Sequence, residues 1–389
     1  MKKLIPLSVP NLKGNEMKYV THAIETEWVS TGGKYIEDFE KGISKYLGVE
    51  KAVACQSGTA GLHLALKLCG VFKDDEVIVP TLTFIAAVNP VKYLGAEPLF
   101  MDCDDSLTMD MDKLEEFLEK ECFLDNGKLI NSKTKRHIKA VIIVHVFGNM
   151  TNMERLMYLS EKYNFKVVED ATEALGTYYN EGIYKGKFAG TIGDFGVYSF
   201  NGNKIITTGG GGMLVAKNID GLRKAKYLST QAKDDILYYI HDEIGYNYRM
   251  TNLQGALGLA QLEQLENFID KKEKNYNLYK ALLSEIAGLT ILDFYKKIRP
   301  NYWFYSLSID EKKYGLNRDK LLQKLNENKI QTRPIWGLIH EQKPYINNQV
   351  YKIEKAKYYY ERILNIPCSS NLTEDNVYRV IEILRMLKY

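Results

Sequence analysis

Phe195-Gly-Val-Tyr-Ser-Phe-Asn-Gly-Asn-Lys-Ile-Ile-Thr-Thr-Gly-Gly-Gly-Gly-Met213 begins as an apolar strand, ends in a polar turn carrying Lys204, and passes through four glycines into a second apolar run. A lysine on a loop, beside a hydroxyl-rich strand end and backbone that a ligand can approach closely, suits a Schiff-base nucleophile. This stretch therefore predicts a sheet whose strand ends carry the chemistry.

Working outward, short apolar runs alternate with helical patterns. Glu76 to Val79, Ala96 to Phe100, Ala140 to Val146, Lys166 to Glu169, Gly196 to Phe200 and Met213 to Ala216 read as strands. Thr59 to Cys69, Met111 to Lys120 and Met153 to Tyr163 read as helices between them. The alternation predicts an α/β layer fold with a mostly parallel sheet, in which ligands bind at the carboxyl ends of strands. Asp170 and Ser199 fall at such ends. After about Arg249 the pattern becomes a long charged helical region, Leu253 to Glu285. Short strands near Thr290 and Phe304 follow, then helices at Asp319 to Asn328 and Glu374 to Leu387. The expected division is a large domain over 1–255, including the N-terminal segment, and a smaller C-terminal α+β domain over 256–389. Cys122 to Arg136 is polar and aperiodic and reads as a surface insertion.

A chain of 389 residues with 45% hydrophobic content can bury a large core. Its 52 basic and 49 acidic residues are spread along the chain, so no basic block marks a nucleic-acid surface. Five cysteines, Cys55, Cys69, Cys103, Cys122 and Cys368, are odd in number and never form Cys-x-x-Cys, which implies neither a disulfide framework nor a zinc site. No run approaches the roughly 20 apolar residues of a membrane span. Prolines and charges interrupt the N-terminal apolar stretch within a few positions, so a cytoplasmic protein is expected.

Four segments could carry chemistry. In Cys55-Gln-Ser-Gly-Thr-Ala-Gly-Leu-His, Gly58 and Thr59 open an apolar-periodic helix whose N-H groups and dipole would hold a phosphate, although an ordinary helix cap fits as well. In Val167-Val-Glu-Asp-Ala-Thr-Glu-Ala-Leu-Gly, Asp170 could keep a cationic ring nitrogen protonated. With Glu173 three residues on, the same acid could also be a helix cap. Thr81-Leu-Thr-Phe places Phe84 where it could stack on a planar cofactor or simply fill the core. A phosphate-type helix start, a loop aromatic, a strand-end acid and a loop lysine, in that order, match the needs of pyridoxal phosphate.

Eight stretches in order resemble the sugar aminotransferases of the DegT/DnrJ/EryC1/StrS family. They are Trp28-Val-Ser-Thr-Gly-Gly-Lys, Gln56-Ser-Gly-Thr-Ala-Gly-Leu-His, Val79-Pro-Thr-Leu-Thr-Phe, His145-Val-Phe-Gly, Glu169-Asp-Ala, Tyr198-Ser-Phe-Asn-Gly-Asn-Lys, Gly245-Tyr-Asn-Tyr-Arg-Met-Thr-Asn and Arg333-Pro-Ile-Trp. The resemblance implies a fold-type I transferase like aspartate aminotransferase, with a mostly parallel seven-stranded sheet in the large domain.

It further implies that Lys204 binds pyridoxal phosphate covalently and moves the proton, while Asp170 pairs with the ring nitrogen and Phe84 stacks on the ring. Gly58, Thr59 and Ser199 hold the phosphate, and Asn247 reaches it from the neighbouring subunit of a homodimer with shared active sites. Glu173 occupies a position near the ring where many members carry Gln or His. Trp28, Thr31, Gly32, Trp303, Arg333 and His340 fall where the family meets its nucleotide sugar. A buried packing role fits His145, and a structural ion pair fits Arg249.

The implied reaction moves an amine from L-glutamate, released as 2-oxoglutarate, to C4 of a GDP- or UDP-linked 4-keto-6-deoxy sugar; pyridoxamine phosphate is the aminated form of the cofactor. The Val-His-Val-Phe-Gly-Asn and Arg-Pro-Ile-Trp-Gly-Leu-Ile-His stretches and the insertion after Glu121 look most like members that make 4-amino-4,6-dideoxy-N-acetylglucosamine nucleotides for legionaminic acid, with perosamine synthases as the near alternative. Sugar dehydratases of the family carry histidine in place of the lysine, so Lys204 argues against them. A regulator that keeps the fold without catalysis is opposed by the intact Lys204 and Asp170.

Overall fold

The computed structural model describes residues 3–235 and 237–388. Strands form first at β1 (Val53–Cys55), β2 (Glu76–Pro80), β3 (Glu97–Met101), the hairpin β4 (Cys122–Asp125) and β5 (Lys128–Asn131), β6 (Ile138–Val144), β7 (Lys166–Asp170), β8 (Tyr178–Tyr179), β9 (Phe195–Ser199) and β10 (Gly212–Ala216). Those of the C-terminal part are β11 (Leu289–Ile291), β12 (Ile298–Arg299), β13 (Tyr305–Ile309), β14 (Arg333–Pro334), β15 (Val350–Tyr351) and β16 (Ile363–Ile366).

The large sheet has the order β1-β10-β9-β7-β6-β2-β3-β15. Neighbours from β9 through to β15 run parallel, while β10 is antiparallel to both β9 and β1. Its central strands are apolar on both faces because both are covered. Val77, Val79, Ala140 and Ile142 enter the core on one side, and their neighbours Ile78, Val141 and Ile143 enter the core on the other. Each of these valines and isoleucines, fully buried, contributes roughly 1.5–3 kcal/mol.

Helices α1 (Glu16–Glu25), α2 (Lys34–Leu47), α3 (Gly58–Leu68), α4 (Asn89–Tyr93), α5 (Met111–Lys120), α6 (Met153–Tyr163), α7 (Ile219–Ser229), α8 (Asn252–Leu262) and α9 (Leu265–Leu283) account for most of the cover. Their starts are written locally. Ser57, Asp110 and Asn152 cap α3, α5 and α6 through side-chain oxygens, and Thr251 with Gln254 forms a reciprocal capping box on α8.

Two expectations, the strand count and the unbroken helix, are corrected, and two elements, a hairpin and a short strand, are added. The sheet has eight strands, since β15, from the C-terminal part, adds a two-residue edge beside β3. The polar stretch after Glu121 holds a regular hairpin, with Cys122 opposite Asn131. β1 escapes a pattern reading because it is only three residues long. The helical region from 253 breaks at Glu263 and Gln264. There Glu263 accepts hydrogen bonds from Asn15 and Tyr19, and an α8 with no fully exposed residue gives way to an amphipathic α9.

A second, antiparallel sheet, β11-β13-β16-β14, lies in the C-terminal part. The N-terminal segment reaches it: Ile5 exchanges backbone hydrogen bonds with Lys329 and Gln331, and the Cys368 N-H donates to the Leu7 carbonyl. Ser8 is thereby carried to the mouth of the cleft described next.

Candidate active site

The parallel strands β2, β6, β7 and β9 all point the same way, so the loops after them converge. With the N-terminus of α3 they form one side of a cleft of about 820 Å³. Gly58, Thr59, Phe84, Asp170, Glu173, Ser199, Lys204, Trp303 and Arg333 all line it.

At one end Ser57 caps α3, its Oγ accepting the Ala60 N-H. The N-H groups of Gly58 and Thr59 have no acceptor among the described residues, which leaves an anion-ready helix end. Gly58 is required by close approach, since a Cβ there would lie 2.9 Å from Thr172 Cγ2 and 3.1 Å from Ser199 Cβ. Ser199 therefore faces the same point as the helix.

Asp170 ends β7, and its Oδ1 accepts the Thr172 N-H at 3.0 Å. Among the described residues no lysine, arginine or histidine nitrogen is within ion-pair distance of it. Burial pushes its carboxyl above the ordinary range, against the pull of Thr172, Lys204 and His145. Directly before it, Glu169 is saturated by the N-H groups of Gly190, Ile192 and Gly193 and by His145 Nε2 at 2.9 Å. The Thr151 N-H donates to His145 Nδ1, which fixes the tautomer with the proton on Nε2. His145 is therefore a buried support and does not line the cleft.

Lys204 Nζ lies 3.6 Å from Glu173 Oε1 and 4.2 Å from the centre of the Trp303 ring. The other Glu173 oxygen accepts the Phe147 N-H at 2.9 Å. Burial pushes the Glu173 carboxyl up to about 7, opposed chiefly by Lys204. Phe147 holds a left-handed backbone, φ 57° and ψ 22°, a strained conformation for a bulky residue that aims its N-H at the carboxylate. Asn301 ties these parts together. Its amide donates to the carbonyls of Glu173 and Leu175, and its oxygen accepts the Trp303 N-H. The Trp303 indole N-H in turn donates to the Asn203 carbonyl at 2.7 Å, in the loop that carries Lys204.

The facing side comes from the C-terminal part. Arg333 is exposed on β14, Trp336 packs on Phe147 at 4.6 Å between ring centres, and Gln331 and Asn365 complete the wall with Ser8. Phe84 is 56% exposed, which removes the reading of it as a core residue.

Other expected residues fall elsewhere. Trp28, Thr31 and Gly32 are exposed on a loop outside this cleft. The Asn252 side chain holds that loop, donating to the Trp28 carbonyl and accepting the Tyr35 N-H. His340 is taken up by the Thr81 hydroxyl at 2.6 Å and does not line the cleft either. Asn247 is exposed, bridges backbone with Thr230, and lies outside the cleft of its own chain. Arg249 is buried in an ion pair with Glu40, as expected of a structural residue. Sequence reading missed Ser57, Phe147, Trp336 and Asn301. Ser57, Phe147 and Trp336 stand inside the quoted stretches, whereas nothing around Asn301 marks it.

These residues fit pyridoxal phosphate on chemical grounds. Free N-H groups at a helix start suit its phosphate, a buried acid without a cation suits its ring nitrogen, and a mostly buried lysine between them suits its aldehyde.

Comparison with known proteins agrees. The model of the DegT/DnrJ/EryC1/StrS aminotransferase family matches residues 10–385. EpsN of Bacillus subtilis (strain 168), provisionally named a pyridoxal phosphate-dependent aminotransferase, is 38% identical over 99% of this chain and 96% of its own. The GDP-perosamine synthase of Caulobacter vibrioides is 36% identical over 98% of this chain and 97% of its own. The aminotransferase TlmJ from Streptoalloteichus hindustanus superposes with a TM-score of 0.87 at 25% identity, covering 99% of this chain and 98% of its own. The chain belongs to the DegT/DnrJ/EryC1/StrS family and is a pyridoxal phosphate-dependent sugar aminotransferase with the fold of that family.

Proposed function

We propose that the protein transfers the amino group of L-glutamate to C4 of a nucleotide-linked 4-keto-6-deoxy sugar. The observation that carries this reading is the convergence of Lys204, Asp170 and the α3 N-terminus on one cleft whose opposite wall offers Arg333 and aromatic faces. Bound pyridoxal phosphate supplies the electron sink for the bond broken at the donor's Cα.

The chain's own residues do the rest. Gly58 and Thr59 N-H groups with the Ser199 hydroxyl bind the phosphate, and Phe84 lies against the ring. Asp170 keeps a proton on the ring nitrogen, an ion pair that lowers the cost of its own burial. Lys204 Nζ takes the proton from the donor's Cα and later delivers one to the carbon that becomes the amine-bearing C4 of the sugar. Trp303 and Phe147 keep water from that nitrogen, and Arg333 meets the anionic part of the nucleotide sugar. Asn247 completes the phosphate site of the neighbouring subunit in a homodimer. The division into a unit over 1–255 and one over 256–389 puts the two walls of the cleft on different units, with the N-terminal segment crossing between them.

Two acceptors are considered. Similarity to the Caulobacter GDP-perosamine synthase favours a GDP-linked 4-keto-6-deoxy sugar with a 2-hydroxyl. The Val144-His-Val-Phe-Gly-Asn and Arg333-Pro-Ile-Trp-Gly-Leu-Ile-His stretches and the insertion after Glu121 favour the 2-acetamido acceptor of legionaminic acid synthesis. Incubation of the loaded protein with L-glutamate and each sugar nucleotide, followed by mass analysis, separates them. The expected result is one 4-amino sugar nucleotide and stoichiometric 2-oxoglutarate. Failure to aminate any 4-keto-6-deoxy sugar nucleotide would sink the reading.

A further inference from the structure

Lys204 can act as a nucleophile or a base only after its ammonium has lost a proton, at a point where it is mostly buried. Its side chain is 12% exposed and that of Glu173 4%, so a proton given directly to solvent would leave the carboxylate as an uncompensated buried charge. Glu173 Oε1, at 3.6 Å, is the carboxylate oxygen in ion-pair range of Nζ among the described residues. Its partner oxygen is already committed to the Phe147 N-H, so Oε1 is the free one.

We propose that Glu173 is a catalytic residue that accepts the proton of Lys204 directly and returns it, so that the lysine is unmasked without exchange with solvent. This rests on the reading of Lys204 as the cofactor-binding lysine. The step balances: the Nζ-H bond breaks, its electron pair stays on nitrogen as the nucleophilic lone pair, and an Oε1-H bond forms. Ammonium plus carboxylate becomes amine plus carboxylic acid, and the pair's net charge is zero before and after. The 3.6 Å gap is longer than a hydrogen bond, as is common in sites that tighten only with ligand.

The surroundings fit a shared proton. The charged groups facing Glu173 are Lys204 and Asp170. From the elements packed on it, the Phe147 loop presents an N-H and the Asn301 side chain binds its backbone carbonyl. The Trp303 face steadies the ammonium form from the other side. Burial raises the carboxyl to about 7, which lowers the cost of placing a proton on it.

The signature is a pH dependence. Above about pH 7, where the pair keeps one proton, it exposes a constant fraction of free amine, whereas a lone lysine exposes about tenfold less for each pH unit below its pKa. Glu173→Gln keeps the shape and an oxygen for the Phe147 N-H but cannot take a proton.

The test is the rate at which cofactor-free protein captures pyridoxal phosphate covalently, followed by absorbance from pH 7 to 9, with melting curves to confirm folding. We expect the ratio of variant to wild-type rate to fall about tenfold per pH unit as pH is lowered. A ratio that stays constant across the range overturns the proposal and leaves Lys204's assignment standing. Covalent capture by Lys204→Ala would instead overturn that assignment and the proposal with it.

Discussion

The two walls of the cleft are built differently. The inner wall consists of strand ends and a helix start from one parallel sheet, and its reactive groups, Asp170, Glu173 and Lys204, are buried or nearly so. The outer wall is assembled from Trp303, Gln331, Arg333, Trp336 and Asn365 with the N-terminal Ser8, and its one cation, Arg333, is exposed. A buried wall can hold a charge state and move a proton, because every charge there is costly and therefore fixed. An exposed cation such as Arg333 can only select what docks against it. On the proposed function, catalytic power and substrate choice belong to separate parts of the chain.

Two substitutions break that comparison if it is false. Asp170→Asn leaves the cleft's shape but cannot stabilise a protonated ring nitrogen, so kcat should fall roughly 10²–10⁴-fold while the protein still binds cofactor. A normal kcat would reduce the acid to a turn-capping role. Arg333→Ala on the outer wall has a smaller effect. Loss of one charge-assisted contact, about 1.5–3 kcal/mol, should raise KM for the sugar nucleotide roughly tenfold or more with kcat nearly unchanged. If kcat fell with KM constant, the division of labour would be wrong.

Glu169 and Glu173 sharpen the point within the inner wall. Glu169 has its oxygens occupied by three backbone N-H groups and His145, so it anchors the Gly190–Gly193 turn and has nothing left to offer. Glu173 has one backbone partner and one oxygen toward Lys204.

Sequence made the inner wall legible because each piece obeys a local rule. Strands buried on both faces are continuous apolar runs, the apolar periodicity after Gly58 and Thr59 marks a helix start, and the polar turn after Ser199 carries Lys204 past the strand end. The outer wall obeys no local rule. Arg333 and Trp303 reach the cleft, yet His340, seven residues past Arg333, is captured by Thr81, and the Trp28–Gly32 loop is held by Asn252. The contacts that place His340 and the Trp28–Gly32 loop lie more than 200 residues away in the chain. Asn301, which joins the two walls through Glu173 and Trp303, is likewise visible only once they are folded together.

The account centres on one nitrogen. Loading the protein with pyridoxal phosphate, reducing it with borohydride and mapping the modified peptide tests that directly. The prediction is a single cofactor adduct on Lys204 in the Asn201-Gly-Asn-Lys turn. An adduct on another lysine, or none, would contradict it.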